Sequence, residues 1–303
     1  MRRRQFLAAA AAAALTGCSH GPTSFAQSVR STSSSPTPPS PTTSATPTSA
    51  TPTTAPPTTA PPTTSAPPTP GTAQEILARS AVPVLCFHQL RDHLPGDSDY
   101  ARTIITPPSV LTAQLQAIRD GGYTPVTGGA LVDYLQYGTA LPAKPVLLTF
   151  DDGWGSHYSV GLPELIRFGF PGTFFPQTAV LGAPGWLSED QLRDLARAGM
   201  TIGAHTFDHQ RVDRLVGDQW RAEIDEPPAQ LAGILGHPVD LMAYPYGMWS
   251  QEALERVAAA GYRAAFQLGD AQDPAQPLLT IRRIMPPPTW DGPTLLTHLE
   301  SAF

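Results

Sequence analysis

Two short stretches carry the residues most able to do chemistry. Thr149-Phe150-Asp151-Asp152-Gly153 sets two adjacent carboxylates after the apolar run Val146-Leu147-Leu148, and His205-Thr206-Phe207-Asp208-His209 sets two imidazoles four positions apart. That spacing lets both imidazoles face one point on a helical turn. Asp152, His205 and His209 then offer two nitrogens and one oxygen, a set that suits Zn²⁺ and also Co²⁺, Ni²⁺ or Fe²⁺, with positions left open for water. An open divalent site activates water for hydrolysis. Neighbouring side chains on an extended segment point in different directions, so the two carboxylates should not chelate one ion side by side. One can bind while the other stays free as a base, and a carboxylate beside a metal keeps a low pKa and stays ionised.

The elements that must position these groups are short apolar runs alternating with amphipathic stretches. Strands are expected over 82–87, 146–150, 173–175, 201–204, 241–244 and 262–266, and helices over 108–120, 160–168, 188–198, 218–235, 250–260 and 294–302. Val110, Leu111, Leu115 and Ile118 recur at helical spacing, with Gly121-Gly122 as a stop, and Pro227-Pro228 should interrupt the helix over 218–235. Repeated strand–helix units of this length imply an α/β fold of parallel strands with helices outside, in a barrel or an open sheet. Asp151-Asp152, His205…His209 and Tyr244-Pro245-Tyr246-Gly247 all follow strands, and His88 follows the first. That is the end at which barrel enzymes place their chemistry.

The chain has 303 residues and a formal charge of −6. Residues 1–18 read as an export signal: Arg2, Arg3 and Arg4 precede an Ala-rich run too short to span a membrane. Arg3-Arg4-Gln5-Phe6-Leu7 resembles a twin-arginine signal, and Leu15-Thr16-Gly17-Cys18 resembles a bacterial lipobox that would lipidate Cys18. Residues 19–71 are almost entirely Thr, Pro, Ser and Ala, a composition that stays disordered because it cannot bury enough apolar surface. At ~3.1 Å per residue such a linker reaches on the order of 150 Å. The expected location is outside the cytoplasm, lipid-anchored to the cell membrane, or secreted if the lipobox is not used. The folded domain is expected over 72–303. The chain's second cysteine, Cys86, lies in an apolar run and should be a buried apolar residue, with no disulfide partner if Cys18 is lipidated. Loss of the three signal arginines takes the charge to −9, and Lys144 is the single lysine of the folded part. An acidic surface without a basic cluster argues against nucleic acid as a partner. We expect a monomer.

Thr-Phe-Asp-Asp-Gly, then His-Thr-x-x-His, then Tyr-Pro-Tyr-Gly resembles the polysaccharide deacetylase family, the NodB-type carbohydrate esterases, over about 82–284. Val84-Leu85-Cys86-Phe87-His88 and Arg282-Arg283-Ile284 resemble the branch that includes the biofilm poly-N-acetylglucosamine deacetylases. The resemblance implies a distorted (β/α) barrel with about seven units. It implies that Asp152, His205 and His209 bind the metal, that Asp151 is the general base toward the attacking water, and that the backbone N–H of Tyr246 helps stabilise the oxyanion. It implies a histidine as general acid. Much of the family carries it in a late Leu-x-His motif, here Leu296-Thr297-His298, whereas the biofilm branch takes it from the early Phe87-His88. We expect His88, because 294–302 reads as a terminal helix.

The chain departs from the wider pattern at Ala243, where many members hold the catalytic aspartate with an arginine. Arg283 is the expected substitute. Trp154, Trp186, Trp249 and Tyr246 are candidates for sugar stacking. The expected function is metal-dependent N-deacetylation of an extracytoplasmic amino-sugar polymer such as poly-N-acetylglucosamine, chitooligosaccharide or peptidoglycan. The same site could act on O-acetyl esters such as acetylated xylan. A lipid-tethered carbohydrate-binding protein with an inactive site would be favoured by loss of a ligand or of Asp151, and all four are intact.

Overall fold

The apolar runs become parallel strands. The computed structural model describes residues 68–303, so the signal, Cys18 and most of the linker lie outside the described residues. The strands are β1 (Val84–Phe87), β2 (Thr124–Val126), β3 (Pro145–Asp152), β4 (Thr173–Pro176), β5 (Thr201–Ile202), β6 (Leu241–Ala243) and β7 (Ala264–Phe266). All their pairings are parallel. Leu147 of β3 faces both Val84 and Val126, so β1 and β2 lie on opposite edges of β3. β4 takes up the β2 edge from Thr149 onward and pairs with β5. Single bridges complete a ring: Ala204 to Met242 joins β5 to β6, and the segment 281–284 joins β7 to β1 through Phe266–Ile281 and Leu85–Ile284. The staves are therefore β1, β3, β4, β5, β6, β7 and the segment 281–284. The barrel is distorted because two seams rest on isolated bridges.

β3 is buried along nearly its whole length and feeds two cores by alternation. Val146, Leu148 and Phe150 face outward into a cluster with Leu111, Leu115, Leu165 and Leu295. Leu147 faces inward to Val84, Phe175, Ala243, Phe266 and Ile281. Further along that inner side come Thr149 and Asp151.

The helices are α1 (Ala73–Arg79), α2 (Asp99–Ile104), α3 (Pro108–Asp120), α4 (Gly128–Tyr137), α5 (Leu162–Phe168), α6 (Glu189–Arg197), α7 (Glu226–Leu235), α8 (Gln251–Ala259) and α9 (Gly292–Ser301). α1 starts with a capping box between Thr72 and Glu75, α6 with one between Ser188 and Gln191. α1 and α4 insert Ile76, Leu131 and Leu135 into the inner cluster and so stop the N-terminal end of the barrel. The expected helices form close to their expected bounds, whereas α1, α2, α4 and β2 were not anticipated. The expected break at Pro227-Pro228 does not occur. A wide helical turn over Arg221–Asp225 runs straight into α7, whose second and third residues are the prolines; they have no N–H to extend a regular ladder backward, and the helix continues across them through that wide turn.

Gly203, just past β5, gives a test of the interior packing. A Cβ there would press on the Phe175 ring and lie 2.7 Å from the Leu241 carbonyl oxygen. Gly203→Ala should destabilise the domain by about 2 kcal/mol. Gly233→Ala, in open space on α7, should stabilise it by about 0.5–1 kcal/mol. Denaturant titration of the two variants checks both signs.

Candidate active site

The upper part of the barrel interior is polar, and it begins with Asp151. Arg283 donates to both of its oxygens, Nη1 to Oδ1 at 2.7 Å and Nη2 to Oδ2 at 2.6 Å. The same guanidinium also reaches Thr149 Oγ1 at 3.0 Å and, through Nε, the Gln267 carbonyl at 2.9 Å. Both members of the pair are buried. Burial raises the Asp151 pKa, but the Arg283 charge, helped by His205, outweighs it and holds the carboxyl at about 2. Cys86 is buried as expected, yet its surroundings are not apolar: Sγ lies 3.4 Å from Asp151 Oδ2, positioned to donate.

Asp152 leaves β3 with φ 80°, which turns its carboxylate away from Asp151 and toward the two imidazoles. Its Oδ1 stands 3.5 Å from His205 Nε2 and 3.3 Å from His209 Nε2. For ligand bonds of about 2.0–2.1 Å at tetrahedral angles, donors should stand about 3.3–3.4 Å apart, so the set fits a divalent metal. The supporting bonds agree. Trp154 Nε1 donates to Asp152 Oδ2 at 3.0 Å, which leaves Oδ1 to the site. His205 Nδ1 lies 2.8 Å from the Ala243 carbonyl, which assigns the proton to Nδ1 and the lone pair to Nε2. Burial, with His205 alongside, lowers His209 to about 4, as a neutral ligand requires. Burial also lowers His205, but there the Asp151 charge and the bond to Asp152 prevail and raise it.

The His205–His209 segment is not the expected helical turn. It is a loop in which Thr206 and His209 adopt φ of 62° and 68°. The buried Glu223, in the wide turn before α7, accepts from the Phe207 and Asp208 amides at 3.0 and 3.2 Å and fixes the loop. Sequence reasoning missed Glu223, since nothing in the sequence marks it as buried.

His88, half-buried, shares one pocket of about 290 Å³ with Asp151, His205, Tyr246 and Arg283. Its backbone is held by a second histidine that the sequence did not single out. His157 is fully buried, with Nε2 2.7 Å from the His88 carbonyl. Burial takes His157 down to about 4, so it is neutral and donates that proton. Tyr246 sits at the pocket rim with φ 59°, its ring centroid 4.6 Å from that of His209. Tyr100 of α2 and Met285 line the same pocket and are partly exposed. They too were missed: the sequence reading assigned nothing between His88 and the start of α3, and the late Arg282-Arg283-Ile284 motif stops one residue short of Met285.

Other expected residues lie elsewhere. His298 stacks on Trp290 at 3.7 Å on α9 and does not line the pocket. Trp186 stacks on Trp154 at 4.1 Å, beside Asp152 but outside the pocket lining. Trp249 donates to Gln267 and packs against the outer core.

The polysaccharide deacetylase family model matches residues 138–265, a span that holds β3, Asp151, Asp152, His205, His209 and Tyr246. This chain carries a polysaccharide deacetylase domain. YxkH of Bacillus subtilis, assigned by name to the polysaccharide deacetylases, is 25% identical over 225 residues, covering 73% of this chain and 76% of that protein. Poly-beta-1,6-N-acetyl-D-glucosamine N-deacetylase of Escherichia coli is 24% identical over 266 residues, which cover 71% of this chain and 39% of the larger protein. The solved structure of Streptococcus pyogenes deacetylase PplD has the same fold as this deacetylase domain, with a TM-score of 0.67 and 24% identity. The match covers 72% of this chain and 98% of that one.

Within the deacetylase domain the Arg283–Asp151 pair is open to a direct test. Arg283→Met strands a buried carboxylate and should cost about 3–5 kcal/mol. Arg283→Lys keeps the charge without the fork and should cost less. Thermal and denaturant unfolding of the two variants should show that order.

Proposed function

We propose that this chain is a metal-dependent hydrolase that removes N-acetyl groups from an amino-sugar polymer outside the cytoplasm. The observation that carries the reading is the division of the two adjacent carboxylates. Asp152 is turned to the His205–His209 pair, whereas Asp151, ionised by its pairing with Arg283, lines the same pocket as His88. A divalent ion held by Asp152, His205 and His209 would supply Lewis acidity toward a carbonyl oxygen and toward water.

The chain's own groups do the rest. Asp151 accepts a proton from the attacking water. Tyr246 presents its backbone N–H where the carbonyl oxygen gains charge. His88 gives a proton to the nitrogen as the C–N bond breaks, which releases acetate and leaves a free amine. His157 keeps His88 in place by holding its carbonyl. Tyr100, Tyr246 and Met285 give the rim the apolar and aromatic surface that sugar faces stack on. The match to an E. coli protein named for N-deacetylation of poly-β-1,6-N-acetyl-D-glucosamine supports an amino-sugar polymer as substrate. The arginine-led signal and the Leu15-Thr16-Gly17-Cys18 motif support export, with Cys18 as a lipid anchor and residues 19–71 as the tether to a catalytic domain over 72–303.

The test is acetate release from poly-β-1,6-N-acetylglucosamine, chitooligosaccharides, peptidoglycan and acetylxylan, with and without chelator. Release from an amino-sugar polymer, lost on chelation and restored by Zn²⁺, is expected; release from acetylxylan alone overturns the reading. Asp151→Asn should retain metal and lose turnover, and His205→Ala should lose both. His88→Ala should lower kcat by roughly 10²–10⁴-fold, with His298→Ala near wild type.

A further inference from the structure

Next to the pocket lies a second, larger recess of about 420 Å³, within the size range of ligand clefts. His209 and Tyr246 line it, and Tyr246 lines both cavities. The recess therefore begins where the pocket ends. On the reading given above, a polymer that presents one acetylated sugar to the pocket must send a neighbouring sugar through such a space.

The chemistry of the recess is set by Arg211, Arg214 and Gln219, with Asp208 as its one carboxylate. Arg211 closes its fork on Asp213, Nε to Oδ1 at 3.0 Å and Nη2 to Oδ2 at 2.7 Å. Arg214 has no such partner. Among the described residues every other arginine, and Lys144, has a hydrogen bond, an ion pair or an aromatic face. Arg214 alone makes none of these, in a chain whose net charge is −6. Its backbone is not loose. It ends the short turn Val212–Arg214, between Val212 and Leu215, which are buried to 0% and 4% exposure. Gln219 accepts from the Val216 amide through Oε1 at 3.0 Å, which leaves its amide N–H groups to donate. An exposed guanidinium without a partner, on an anchored backbone and lining the same recess as free amide donors, matches a carboxylate, as Arg211 already does with Asp213.

We propose that this recess is a subsite for a carboxylate carried by a sugar adjacent to the one being deacetylated, with Arg214 as its partner. The proposal rests on the polymer-deacetylase reading, and its test is built so that the two can fail separately. The full chain is assayed on a neutral chitooligosaccharide and on a peptidoglycan glycan strand freed of its stem peptides, whose muramic acid residues then carry free carboxylates. A third substrate is the same strand with those carboxylates capped as methylamides. Arg214→Ala should raise KM about tenfold on the carboxylate strand, a loss typical of a hydrogen bond to a charged group. It should leave kcat there unchanged and leave the neutral and capped substrates at wild-type values. Arg214→Lys should recover part of the loss.

Equal change on all three substrates, or none on any, overturns the subsite. So does a loss of carboxylate preference in Asp208→Asn that matches or exceeds that in Arg214→Ala. Calorimetric binding of the carboxylate strand is measured in parallel. If no substrate releases acetate, the deacetylase reading fails. In that case a tenfold weaker binding of the carboxylate strand to Arg214→Ala still supports the subsite, and unchanged binding removes it.

Discussion

The buried pairing of Arg283 with Asp151 is the contact on which the rest is arranged. Two charges inside a barrel are costly unless each has a full set of partners. Here the guanidinium is used up on Asp151, Thr149 and the Gln267 carbonyl, and the carboxylate takes two N–H groups with the Cys86 thiol beside it. Those partners come from β1, β3, the residue after β7 and the segment 281–284. They therefore span the β7–β1 closure, which otherwise rests on isolated bridges. The β5–β6 closure, also a single bridge, is crossed by the His205 to Ala243 bond. Site geometry and ring closure use the same side chains. That accounts for the change of the interior from apolar, at Leu147, Phe175 and Phe266, to polar at Thr149 and Asp151.

What was legible in the sequence follows from how local each signal is. β3 is legible because a strand covered on both faces must be apolar at every position. α3 and α6 are legible because periodicity and capping residues mark them. β2 is not, because Thr124-Pro125-Val126 is too short for any period and its proline argues against a central strand. It pairs only with β3, on the lower part of one edge, where such a residue is tolerated. The two-histidine spacing fits a helix and a loop equally well, and Glu223 makes it a loop. Nothing near Arg283 points to Asp151. The motif resemblance, not residue physics, singled it out. His157 and Glu223 look like ordinary helix-surface residues, and only the fold buries them.

The site also concentrates backbone cost. Among the described residues the non-glycine positions with positive φ are Lys144, Asp152, Thr206, His209 and Tyr246, and all but Lys144 belong to the site or its loop. Each costs of order 1 kcal/mol or more. Three of them are held by surroundings that fix them: Trp154 on Asp152, the Thr206 hydroxyl on the His209 amide at 3.1 Å, and Glu223 on the amides between Thr206 and His209. These angles redirect side chains that regular structure would send elsewhere. The donor set is thus formed in advance by the fold.

The position of α1 has a consequence of a different kind. The chain enters the domain beneath the N-terminal ends of the strands, where α1 and α4 seal the barrel, and the pocket opens at the opposite end. A polymer lying across the pocket would therefore lie at the opposite end of the barrel from α1. The point where the chain enters and the groups that recognise or cleave belong to opposite ends of the barrel, so a change at one end need not move the other.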